Sequence, residues 1–65
     1  MAIVDQITQD LTPGMKLTIS GAAKRYQVSY STAQRGLREL WRYKFVSRNK
    51  VGRMLEYEGV QERLV

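Results

Sequence analysis

Sixty-five residues with a net charge of +5, no cysteine and no histidine make one small basic domain with a modest core. They exclude a disulfide staple and leave only carboxylates for a zinc site, so no metal or cofactor is expected. No apolar run approaches the roughly 20 residues of a membrane span, and MAIVDQITQD lacks the basic n-region of a signal peptide.

The first predicted element is a short helix over residues 2 to 11, where Ile3, Ile7 and Leu11 recur at i, i+4 and i+8. Asp5 lies in its first turns, where a negative charge suits the helix dipole. TPG (residues 12–14) ends it, with Pro-Gly favouring a type II turn. MKLT (15–18) alternates like a short strand. A second helix follows, capped by Thr18 or Ser20, with Ala22, Ala23 and Tyr26 inward. After a tight connection at Gln27 and Val28, Ser29 caps a third helix reaching about Tyr43, with Ala33, Leu37, Leu40 and Trp41 on its apolar face. KFVSR and RMLEY then read as two strands of a hairpin, with NKVG (49–52) as its basic tip. Val60 and Leu64, at i and i+4, leave three readings open: the start of another helix, packing back on the domain, or a cut from a longer chain. The fold class is α+β, mainly α: a winged helix-turn-helix of three helices and a two- or three-stranded antiparallel wing, filling residues 1 to 65.

The charge is concentrated. Residues 24 to 53 hold nine lysines and arginines against Glu39 alone, a local charge of +8 between acidic flanks. Such a field suits a polyanion such as nucleic acid; the plain alternative is a solvated surface. On the third helix, Ser31, Arg35, Arg38 and Arg42 recur at i, i+4, i+7 and i+11, opposite Leu37. Arginines along one stripe repel in isolation, but they suit a groove of phosphates and base edges. Arginine grips guanine bidentately, glutamine reads adenine, and hydroxyls serve either bases or phosphate.

The segment TPGMKL…AAKRYQVSYSTAQRGLRELWRYKFV resembles the DNA-binding domain of GntR-type transcription regulators. Pro13, Gly14, Leu17, Ala23, Val28, Ser29, Thr32, Leu37, Leu40, Val46 and Gly52 fit that pattern over residues 3 to 57. The resemblance implies readout of the major groove by Tyr30, Ser31, Thr32, Gln34, Arg35 and Arg38. Arg42 is better placed for phosphate, and Ser29 for its cap plus a backbone contact. Tyr30, where the family often has arginine, leans inward by helical angle and reads equally as core. Lys44 replaces a glycine that often closes the third helix. Family members carry a ligand-sensing domain that the matched segment does not include, so nothing about an effector follows. On the wing, Arg48, Asn49, Lys50 and Arg53 are candidates for backbone or an adjacent minor groove. Gly36 implies a close helix contact, Trp41 reads as core, and Tyr43 as a wing junction or partner contact.

The expected function is sequence-specific binding of double-stranded DNA by a cytoplasmic, bacterial-type transcription regulator, as a homodimer where the site is repeated. No membrane partner is expected. Alternatives are an architectural DNA protein, excisionase-like or a replication accessory, and a winged helix used for protein contacts. Catalysis is not expected: Glu56 and Glu58, sharing one face of a strand, read as solvated acids.

Overall fold

Each helix is bounded by identifiable chemistry. In the computed structural model, which describes residues 2 to 60, α1 spans Ile3–Asp10, buries Ile3 and Ile7, and has no side-chain N-cap. Pro13-Gly14 makes the expected turn, with Gly14 at φ 82° and Met15 N–H donating to Thr12 O at 3.1 Å. Lys16–Thr18 forms β1. Thr18 then caps α2, Ile19–Tyr26, by accepting from Gly21 N–H at 3.0 Å; Ser20 does not.

Gln27, at φ 56°, closes α2. Its N–H donates to Lys24 O, and Val28 N–H donates to Ala23 O, the paired bonds of a Schellman ending. Two residues later Ser29 accepts from Thr32 N–H at 3.2 Å and starts α3, Tyr30–Arg42. The end of α3 repeats the device. Lys44 sits at φ 67°, its N–H donating to Trp41 O, while Phe45 N–H donates to Leu40 O.

Strands β2 (Val46–Val51) and β3 (Met54–Gly59) form the wing hairpin. Val51 pairs with Met54, so the loop is Gly52-Arg53 and not NKVG. Gly52 alone takes positive φ, 63°, at the first central position, where a type II′ hairpin turn wants glycine. Asn49 and Lys50 are therefore strand residues. The antiparallel sheet runs β1-β3-β2, with Leu17 and Arg48 flanking Tyr57.

The core lies between the sheet and the helices. Ala33, Leu37 and Leu40 of α3 meet Ile3 and Ile7 of α1, and Leu17, Ile19, Ala22, Val46 and Tyr57 close the cluster. Gly36 lets α1 approach: a β-carbon there would lie 2.8 Å from Ile3 Cγ2. Ala23 and Tyr26 are only half-buried. This is a small winged helix-turn-helix, with a three-stranded wing sheet. Among the described residues, no helix is long and apolar enough to cross a membrane. Val60 donates its N–H to Phe45 O; Leu64 lies outside the described residues.

Candidate nucleic-acid interface

Helix α3 is 13 residues long, about 20 Å at 1.5 Å per residue. Its core face is fixed by Ala33, Leu37 and Leu40, which forces Ser31, Gln34, Arg35, Arg38 and Arg42 outward, and all five are exposed. They spread over roughly 100° of the helix surface. None of these arginines is ion-paired among the described residues, where the salt bridge is Arg25 to Asp10 at 3.6 Å. Glu39 lies one turn beyond Arg35, an acid beside the stripe.

Tyr30 is not core. It is 56% exposed, because the first turn of α3 projects past the apolar cluster and nothing covers it. It lines a cleft of about 170 Å³ together with Gln34, Ser20 and the wing residues Arg53 and Met54. The hairpin thus brings Arg53, its tip residue, to the same cleft as the start of α3.

Thr32 stands apart from the outward face. It lies about 60° round the helix from Arg35, away from Arg38, and its hydroxyl accepts from Ser29 Oγ at 2.9 Å. Ser29 Oγ is also 3.3 Å from Ser31 Oγ. Ser29 and Thr32 thus form one capping unit that sets the start of the helix.

On the wing, side chains alternate. Val46, Arg48 and Lys50 share the face of Tyr57 and Leu55, while Ser47 and Asn49 share the face of Glu58 and Glu56. Lys50 therefore lies on the helix side of the sheet, and Asn49 on the other, away from the arginine stripe and across from an acid. Arg48 is engaged within the fold: its guanidinium carbon sits 3.7 Å from the centroid of the Trp41 ring. Trp41 is itself no core residue, being 38% exposed. Its helical angle is right for burial, but the neighbouring strand covers it with an arginine in place of an apolar side chain.

Arg25 also leaves the basic surface. It pairs with Asp10, and its guanidinium lies 5.6 Å from the Tyr26 ring centroid. Tyr26 donates its hydroxyl to Asp10 Oδ2 at 2.9 Å. Burial first, and then this hydrogen bond to a carboxylate, push the Tyr26 pKa up from its ordinary value. The cluster fastens α2 to the end of α1 and so fixes the ground on which α3 is set.

Among the described residues, no group of three acidic side chains is arranged to hold a metal ion. Phe45, singled out by no motif, is 46% exposed beside Tyr43 at 66%; the alternation WRYKF over residues 41 to 45 is the one sequence signal for it. The chain matches no family model, no curated protein and no solved structure.

Proposed function

We propose that this winged helix binds double-stranded DNA sequence-specifically, as a transcription regulator or the DNA-binding part of one. Helix α3 enters the major groove, where Gln34, Arg35 and Arg38 face base edges with Tyr30 and Ser31 at the entry. Arg42 and Lys50 hold phosphate, and Arg53 reaches backbone or the next minor groove. Ser29 and Thr32 set the helix start, and Arg48 braces the wing on Trp41.

The observation that carries this reading is the shared cleft of Tyr30, Gln34 and Arg53. It joins the start of α3 to the wing tip, so the hydrogen-bonding side chains of Tyr30 and Gln34 and the cation of Arg53 lie on one continuous surface. The resemblance to GntR-type domains over the same residues supports it. A duplex-DNA reader works beside the chromosome, so a bacterial cytoplasm is the matching compartment. The same reading assigns no catalytic chemistry to Glu56 and Glu58.

Selection of bound duplexes from a random pool is the test. Enrichment of one motif, or of an inverted repeat read by two copies, supports the proposal. Retention of all duplexes without enrichment indicates an architectural protein, and no retention at low salt removes DNA as the partner.

A further inference from the structure

The other end of α3 carries a second surface, which shares only Arg42 with the proposed DNA interface. A groove of about 950 Å³ opens between the α1–β1 turn, the last turn of α3 and the start of β2. Leu11, Pro13 and Val60 line it with aliphatic surface, and Trp41, Tyr43 and Phe45 add three aromatic rings, all exposed. Three exposed aromatic side chains within five residues are unusual on a small domain, and contiguous apolar patches of this kind mark contact sites. Aromatic side chains in a pocket are also the residues on which binding energy concentrates.

The charge around the groove selects its occupant. Arg42 and Lys44 line it, and no acidic residue does so among the described residues. A second copy is a poor fit: a two-fold contact sets each patch against itself, so two basic linings with no acid among the described residues would face each other. Nucleic-acid bases are a poor fit too, because stacking needs open flat faces. The Arg48 guanidinium already covers one face of Trp41 and the aliphatic side chains present none, so of the lining residues only Tyr43 and Phe45 are left to stack, and they are set among aliphatic side chains in a groove. We propose that this groove docks an acidic protein segment, one whose large apolar anchors fill the space among Tyr43, Phe45 and Leu11 while its carboxylates meet Lys44. Through such a contact the domain would connect to a partner protein while the start of α3 stays free.

A displayed library of random 12-residue peptides, selected on the full chain, tests this. Enriched peptides are synthesised and titrated against the parent, the Tyr43→Ser/Phe45→Ser double variant and Lys44→Glu. The proposal predicts enrichment of Asp and Glu flanking Trp, Phe or Leu. It predicts about tenfold or greater loss of binding in the double variant, several-fold loss with Lys44→Glu, and unchanged duplex affinity in the double variant. Should the double variant melt below the parent, Tyr43→Ser alone serves, since Tyr43 is the most exposed of the three rings. The proposal is overturned by any of four results: no enrichment, enrichment without acidic residues, peptide binding indifferent to Tyr43 and Phe45, or peptides displaced by duplex DNA. Binding of a 12-residue oligothymidylate that needs the same two rings would reassign the groove to single strands. A dimer in sedimentation that the double variant dissociates would reassign it to self-association.

Discussion

Arg48 lies across the face of Trp41, with its guanidinium carbon 3.7 Å from the ring centroid, and so ties β2 to the last turn of α3. A cation over an exposed indole contributes about 0.5–1 kcal/mol. Arg48→Ala and Trp41→Ala should therefore show a coupling of about that size in a double-mutant cycle of denaturant unfolding. Additive effects would mean that the contact does not form in solution.

Both helix endings place a side chain where glycine is easiest: Gln27 at φ 56° and Lys44 at φ 67°. The left-handed conformation costs a residue with a β-carbon roughly 1–2 kcal/mol, partly offset by glycine's greater freedom in the unfolded chain. Lys44→Gly and Gln27→Gly should each stabilise by about 0.5–1 kcal/mol, a rise of several degrees in Tm for a domain this small. Thermal melts of the two variants decide it; a fall in both would contradict the endings described.

Tyr26 links folding to alkaline pH. Its pKa in the fold is raised above its ordinary value of 10.0, by burial first and by the bond to Asp10 second. The folded chain thus holds the phenolic proton more tightly than the unfolded chain. That contribution is complete below about pH 10 and is lost as pH rises through the folded pKa. Stability of the parent should fall in this range more steeply than that of Tyr26→Phe. Parallel pH profiles for the two proteins would show that the hydroxyl is not so held.

The cations free to meet phosphate are fewer than the local charge suggests. Arg25 is paired with Asp10 and Arg48 is laid on Trp41; Lys24 lies on α2 and Lys44 in the groove at the far end of α3, leaving Arg35, Arg38, Arg42, Lys50 and Arg53 on or beside the proposed surface. With about five phosphates neutralised, log K should fall against log salt with a slope near −4 to −5. Arg25→Ala should leave that slope unchanged, and filter binding over a salt series measures both.

The fold was legible where periodicity and local chemistry agreed. The spacing of Ala33, Leu37 and Leu40 oriented α3, Ser29 marked its start, and Pro13-Gly14 marked the first turn. The hairpin was legible as a hairpin but its tip was not, because Asn49 and Gly52 both suit turns; the pairing of Val51 with Met54 decides between them. Trp41 and Tyr30 were misjudged or left open for one reason: a helical angle tells which way a side chain leans, not whether another element reaches far enough to cover it. Thr32 and Ser31 look equivalent as hydroxyls, yet the cap draws only Thr32 into its hydrogen bonds with both the backbone N–H and Oγ1. Asn49 fell on the far face of the wing because strand alternation depends on register, which depends in turn on where the tip lies.

The central claim is that α3 reads sequence while the wing holds the backbone, and one binding series tests it most directly. Arg35→Ala and Lys50→Ala, each first shown to melt like the parent, are titrated against the selected duplex and a scrambled one at several salt concentrations. Arg35→Ala should lose about 1–3 kcal/mol on the selected site and much less on the scrambled duplex. Lys50→Ala should weaken both duplexes by similar factors and reduce the salt slope by about one. Equal losses on both duplexes for Arg35→Ala, with a change of site preference for Lys50→Ala alone, would contradict the account and make the wing the reading element.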